Sequence, residues 1–180
     1  MKEAFFISVD VEASGPAPSR YSLLSIGACS VENPEYGFYI ELQPDGPEVD
    51  AAALAVGRLD INQLAAHGEP PATAMQLFAD WVDETTPENR KPVCVGFNAP
   101  FDWMWIADYF HRYIGRNPFG HTALDMKALF MGHTGCKWTH TGFSHVSKHV
   151  GVDDALPHHA LEDARLQALI FAGLLENLLD

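Results

Sequence analysis

Asp10 and Glu12 lie two residues apart in Phe6-Ile7-Ser8-Val9-Asp10-Val11-Glu12, a stretch with the alternation and the β-branched and aromatic residues of a strand. On a strand both carboxylates point to one face. Charges of one sign held that close repel unless a cation lies between them, although solvated acids on an edge strand are the plainer alternative. Asp102 closes Gly96-Phe97-Asn98-Ala99-Pro100-Phe101-Asp102, where a short apolar run passes into a helix opened by Pro100. Open α/β sheets bind ligands at that carboxyl end of a strand. Among Phe97, Phe101, Trp103, Met104 and Trp105 this acid is poorly solvated, while a first-turn aspartate facing the positive end of a helix dipole explains it as well. Asp163 falls one turn into the closing helix, five residues after His158. That offset does not share a helix face, so His158 belongs to a loop shaped by Pro157 and is free to swing over an acid fixed on the helix.

The elements that must carry these residues follow from periodicity and punctuation. Strand-like stretches cover residues 4–11, 23–31 and 36–42, broken by Gly15-Pro16-Ala17-Pro18 and by an Asn33-Pro34 turn, which predicts an antiparallel meander. Residues 44–68 are punctuated by Gly, Pro and Asp with short helical pieces, and their function has no reading. Met75, Phe78, Ala79 and Val82 give 72–83 helical spacing. A buried strand over 92–97, a helix over 100–114, a fifth strand over 123–126 and helices over 144–150 and 159–179 complete the chain. The expected fold class is α/β: a five-stranded mixed sheet, antiparallel meander first and parallel strands after, flanked by helices. With no internal repeat and no linker, residues 1–180 read as a single domain.

Composition narrows the class. Of 180 residues, 47% are apolar and 19% charged, with no low-complexity tract, which excludes disordered and fibrous architectures. The longest apolar stretch, 166–175, is interrupted by Gln167 and followed by Glu176, well short of the ~20 residues a bilayer span needs, so no membrane is expected. Met1-Lys2-Glu3-Ala4 runs straight into a strand without a secretory pattern, and three cysteines make no disulfide framework. A reducing, cytoplasmic location is expected. Eleven Lys and Arg against 24 Asp and Glu leave −13, which argues against gripping nucleic acid over a broad basic surface. Residues 111–149 depart from that average: Arg112, Arg116, Lys127, Lys137 and Lys148 against Asp125 alone give +4, and six of the nine histidines fall there. The segment is either a locally basic solvated face or a short edge that binds a polyanion.

Three motifs then carry a resemblance. Asp10-Val11-Glu12-Ala13-Ser14-Gly15, Asn98 to Asp102 as Asn-x-x-Phe-Asp, and His158 to Ala164 as His-x-Ala-Leu-x-Asp-Ala resemble, in order and spacing, the exonuclease motifs of the DEDDh family, whose members have a ribonuclease H-like fold. Proofreading subunits of DNA polymerases, ribonuclease T and oligoribonuclease belong to that family. The resemblance implies a metal-dependent 3′-to-5′ exonuclease acting on single-stranded 3′ ends and releasing nucleoside 5′-monophosphates. Asp10, Glu12, Asp102 and Asp163 would hold two divalent cations about 3.5–4 Å apart, and oxygen-only ligands favour Mg2+ or Mn2+. His158 would take the proton from the attacking water, work suited to the imidazole side chain, whose free form has its pKa near neutrality.

By the same analogy Ala13 and Ser14 would present backbone or hydroxyl groups to the terminal 3′ hydroxyl, and Asn98 and Phe101 would shape the pocket, a plain core role standing equally for Phe101. The family's five-residue offset selects His158 over His159. Several relatives are homodimers, and residues 111–149 could contribute across such an interface. Trp103, Trp105, Trp138 and Phe143 are either core or base-stacking platforms. Cys136, His140, His145 and His149 could ligate zinc only on unconventional spacings. The opposing classes are a catalytically inactive nucleic-acid-binding or interaction protein on the same fold, and a zinc-stabilised module.

Overall fold

The computed structural model describes residues 3–57, 59–152 and 156–179, and begins with the expected meander, β1 (Glu3–Ala13), β2 (Leu23–Ser30) and β3 (Gly37–Glu41). Helices α1 (Ala51–Gly57), α2 (Ile61–His67) and α3 (Pro71–Thr85) fill the middle. Then come β4 (Arg90–Gly96), α4 (Pro100–Tyr113), β5 (Ala123–Asp125), α5 (Met126–Thr134), a 3-10 turn over Trp138–His140, α6 (Phe143–His149) and α7 (Ala160–Leu179). The sheet order is β3-β2-β1-β4-β5; the first three strands pair antiparallel, and β4 and β5 add in parallel. The expected mixed sheet is therefore present, with β1 at its centre. This overturns the edge-strand explanation of Asp10 and Glu12: β1 is an inner strand, joined to β4 as far as Ser8, and both acids are half-buried just beyond that pairing.

Alternation along β1 divides the molecule into layers. Phe5, Ile7, Val9 and Val11 pack with Phe78 of α3 and with Trp105 and Phe110 of α4. Phe6 faces the other way and meets Phe171 of α7 edge to face at 5.0 Å. Each fully buried side chain of this size contributes about 1.5–3 kcal/mol relative to exposure, which fixes the register of β1. Asp10 and Glu12 share the parity of Phe6, so they must emerge on the α7 side.

How near α7 can come is set by Gly27, the cross-strand partner of Asp10. A Cβ on Gly27 would lie 2.1 Å from the backbone carbonyl carbon of Ala160 and from the amide of Leu161. The absent side chain lets the first turn of α7 rest on β2, one strand from Asp10. Helix α5 was not anticipated. Asp125, at the end of β5, accepts from the Ala128 amide at 3.0 Å and starts it, and Gly135 ends it in the left-handed conformation at φ 68°. Among the described residues no helix is long and apolar enough to cross a membrane.

Candidate active site

Three carboxylates from opposite ends of the chain meet at the carboxyl end of β1. One oxygen each from Asp10, Glu12 and Asp163 lie within 4.8 Å of one another. Asp102, almost wholly buried on the first turn of α4, stands against the same strand: its Oδ1 accepts from the Val11 amide at 3.1 Å, between the two strand acids. All four acids singled out in the sequence thus gather at one place, although Asp102 lies outside the tightest group.

Their crowding is visible in their protonation. Burial, followed by the charges of Asp102, Asp163 and Glu12, holds Asp10 well above the usual carboxylate range, against a hydrogen bond from Gln167. Glu12 is pushed up to about 7, by burial first and then by Asp163. Asp102 rises to about 8: burial lifts it, backbone hydrogen bonds from Val11 and its own amide oppose, and the charges of Glu12 and Asp125 add to the rise. Asp163 is also raised by burial, and the neighbouring His158 charge pulls it down. Such a cluster wants positive charge. Among the described residues Asp163 Oδ1 is buried without a hydrogen-bond partner, an orphaned acceptor beside two more carboxylates, and this all-oxygen donor set fits a hard divalent cation.

The two adjacent histidines differ in freedom. His159 stacks on Tyr39 of β3, ring centroids 4.5 Å apart, and its carbonyl accepts from the Asp163 amide at 2.9 Å. Both histidines are exposed, and the His158 backbone adopts φ 57°. Among the described residues only Asn98, at φ 67°, and His158 hold positive φ without being glycine, and both belong to the residues singled out by the motifs. Non-glycine residues in this region mark places where geometry is imposed on the chain.

Ala13, Glu12 and Phe101 line a cavity of about 290 Å³ together with Asp50 and Ala53. Phe101 is 37% exposed and edge-on to Trp105, so the core alternative for it gives way. Asn98 is exposed on the turn after β4 and accepts from Lys127 Nζ at 3.3 Å. Ser14 is fully buried and engaged within the fold: its hydroxyl donates to the Glu48 carbonyl at 3.1 Å and accepts from the Ser22 amide at 2.8 Å, and its own amide and carbonyl bond Ser22 and Asp50.

Sequence reasoning missed two contributors. Gln167 is 2% exposed; its Nε2 donates to Asp10 Oδ1 at 2.7 Å and its Oε1 accepts from the Phe97 amide at 2.8 Å. Helix α1, inside the unread segment, covers Glu12, since a Cβ on Gly57 would stand 2.7 Å from Glu12 Oε2. Among the described residues Cys136, His140, His145 and His149 line a common cavity without converging as metal ligands do. Trp105 is core and Trp103 packs against it, Phe143 meets Phe97 edge to face at 5.2 Å, and Trp138 stays 53% exposed.

A protein of Escherichia coli named "3'-5' DNA exonuclease Cap18" is 43% identical over 166 residues, covering 92% of this chain and 89% of that one. The chain belongs to the DEDDh family of 3′-to-5′ exonucleases. It is thereby an exonuclease, a hydrolase of nucleic acid. No protein-family model matches it. Among solved structures, a full-length 3'-exonuclease superposes with a TM-score of 0.78 at 12% identity, covering 98% of this chain and 84% of that one. The nuclease domain of 3'hExo, a DEDDh family member bound to rAMP, gives 0.77 at 12% identity over 97% and 92%. Escherichia coli exonuclease I in complex with a dT13 oligonucleotide gives 0.71 at 18%, over 97% of this chain and 41% of that one. These likenesses carry the ribonuclease H-like exonuclease fold to this chain.

Proposed function

We infer that this DEDDh exonuclease removes nucleotides from the 3′ end of single-stranded DNA, using two divalent cations, Mg2+ or Mn2+, and releasing nucleoside 5′-monophosphates. The observation that carries the reading is the meeting of Asp10, Glu12 and Asp163 within 4.8 Å, with Asp163 Oδ1 orphaned among them. Asp10, Glu12, Asp102 and Asp163 would hold the cations, which when bound neutralise the terminal phosphate and make water a stronger nucleophile at neutral pH. His158, beside Asp163, takes the proton from the attacking water, while His159, exposed as well, is held in a stack on Tyr39. Ala13 and Phe101 face the terminal nucleotide from the cavity beside Glu12, and Asn98 borders the strand behind it. DNA as substrate is supported by the naming of the 43% identical relative as a DNA exonuclease.

The net charge of −13 suits a short site: metals offset the acids locally, and a few phosphates then bind without a basic surface. Every residue invoked comes from one copy of the chain. The deciding experiment incubates 5′-labelled single-stranded DNA and RNA of equal length with Mg2+, with Mn2+ and with EDTA. Stepwise shortening of the DNA in the metal-containing reactions, with 5′-monophosphates as product and no reaction in EDTA, is expected. Preference for RNA would overturn the substrate assignment. Intact DNA and RNA under every condition would favour the non-catalytic binding protein.

A further inference from the structure

We propose that Trp138 is a stacking platform for the substrate strand on the 5′ side of the scissile bond, with Lys127 beside it contacting the intervening phosphate; this rests on the exonuclease reading above. The four aromatic residues that the sequence left ambiguous now separate. Trp105, Trp103 and Phe143 are absorbed by packing, whereas Trp138 is 53% exposed in a 3-10 turn and lies in neither large core cluster. An indole left in water is an ordinary occurrence when single. This one is not isolated from the chemistry.

Lys127 Nζ lies 4.6 Å from the centroid of the Trp138 ring and 3.3 Å from Asn98 Oδ1. One ammonium group therefore joins the exposed ring to the turn that connects β4 to α4, four residues before Asp102. The position of Lys127 is itself fixed. Asp125 accepts from the Ala99 amide at 3.0 Å and from the Ala128 amide at 3.0 Å, tying the start of α5 to that turn. A cation over one face of the indole leaves the other to a base, and bases stack on an aromatic face whatever their identity. The charge agrees. Trp138 and Lys127 belong to residues 111–149, at +4 in a chain of −13, and Lys137 immediately precedes the ring. A strand whose 3′ end lies at the carboxylates has its next phosphates repelled by most of this surface and attracted along this segment.

The test compares two DNA substrates of different reach. The p-nitrophenyl ester of thymidine 5′-monophosphate fills only the terminal site; a single-stranded dT12 extends beyond it. Trp138→Ala should lower the ratio of kcat/KM for dT12 over kcat/KM for the ester about tenfold, the size of one lost stacking contact. The loss should fall on KM for dT12 rather than on kcat, and Trp138→Phe should recover most of it. Lys127→Gln should make the slope of log affinity against log salt shallower by about 0.7, one phosphate contact on a single strand. With Ca2+ in place of Mg2+, a hard cation that suits oxygen ligands but whose looser coordination supports little phosphoryl transfer, dT12 should quench the fluorescence of the unmodified protein and much less that of Trp138→Phe, a readout independent of hydrolysis. An unchanged substrate ratio in Trp138→Ala, or equal quenching in both proteins, overturns the platform. Failure of the unmodified protein to hydrolyse either substrate with Mg2+ or Mn2+, while Trp138-dependent quenching persists, overturns the exonuclease reading instead.

Discussion

Gln167 Nε2 donates to Asp10 Oδ1 at 2.7 Å across 157 residues of sequence, and the other end of the same amide accepts from the Phe97 amide at 2.8 Å. The side chain thus holds the central carboxylate at a set distance from the end of β4. Gln167→Ala removes a donor from Asp10 and leaves a buried N–H unpaired, a cost of about 1–3 kcal/mol in stability. Groups that orient a metal ligand also tune affinity, so the Mg2+ concentration for half-maximal activity should rise about 10–100-fold. A magnesium titration of initial rates checks this. An unchanged half-activation point would leave Gln167 as a core residue and nothing more.

Gly27 is the second hidden determinant. A methyl group there collides with the backbone of Ala160 and Leu161, which cannot rotate away as a side chain can. Gly27→Ala should shift α7, draw Asp163 back from Asp10, cost about 1–3 kcal/mol in urea denaturation and reduce turnover by more than an order of magnitude. Gly132→Ala, inside α5 where the new Cβ meets nothing within 4 Å, is the matched control and should leave turnover intact while holding or slightly raising stability.

The four acids make the metal-free protein pH-sensitive in an unusual direction. A carboxyl whose folded pKa is raised binds its proton more tightly in the native state, so stability declines as pH climbs from the unfolded value of about 4 through the folded one. With Glu12 at about 7 and Asp102 at about 8, that decline should span mild acid to slightly alkaline pH. Asp10→Asn removes one of the repelling charges. In EDTA its melting temperature should equal or exceed that of the unmodified protein, most clearly at pH 8, while activity with Mg2+ is abolished. Added Mg2+ should raise the melting temperature of the unmodified protein far more than that of the variant. Equal rises in both proteins would count against a cation site.

Local rules singled out the acids while leaving plainer alternatives open, and the resemblance of the three ordered motifs joined them into one site. Asp10 and Glu12 are legible through strand alternation, Asp102 through its position after a strand and in the helical turn that Pro100 opens, and Asp163 through its placement just inside a helix. The parallel addition of β4 and β5 was likewise readable from alternating strands and helices. Gln167 obeyed no local rule. In sequence it only interrupts an apolar stretch, and its role exists because α7 packs across the Asp10 end of β1. Gly27 is hidden for the same reason, since close approach is a property of two elements. Helix α1 was obscured by the Gly, Pro and Asp around it, and its task of covering Glu12 depends on its packing against β1.

His158 and His159 separate in the fold as they could not by composition. Both are exposed, but the first has φ 57°, whereas the second is stacked at 4.5 Å on Tyr39, whose hydroxyl in turn donates to Glu41 Oε1 at 2.8 Å. His158→Ala should lower kcat by about 10²–10⁴-fold, the usual contribution of a positioned base, with the Mg2+ titration midpoint little changed. His159→Ala should stay within a few-fold of the unmodified rate. The reverse ranking would transfer the proton-accepting role to His159.

Asp45 bears on the same site from a distance. It accepts from the hydroxyls of Tyr109 and Tyr113, each at 2.6 Å, and from Arg112 at 2.8 Å, fastening the segment that leads into α1 onto α4. Burial alone would raise its pKa, but the hydrogen bonds of Tyr109, Tyr113 and Ser22 and the charge of Arg112 outweigh it, and the net shift is downward. A depressed carboxyl stabilises the fold above its unfolded pKa, and that contribution fades as pH falls through the folded value. Asp45→Asn should therefore cost about 1 kcal/mol at neutral pH, a figure kept small by solvent screening at a partly exposed group. As pH falls through the depressed folded pKa of Asp45 the variant and the unmodified protein should converge in stability. Because the segment continues into α1, whose Gly57 abuts Glu12, the variant should also show a higher KM for single-stranded DNA at neutral pH, read from initial rates against substrate concentration. A stability gap that persists unchanged in acid would mean that the charge of Asp45 is not what holds the segment.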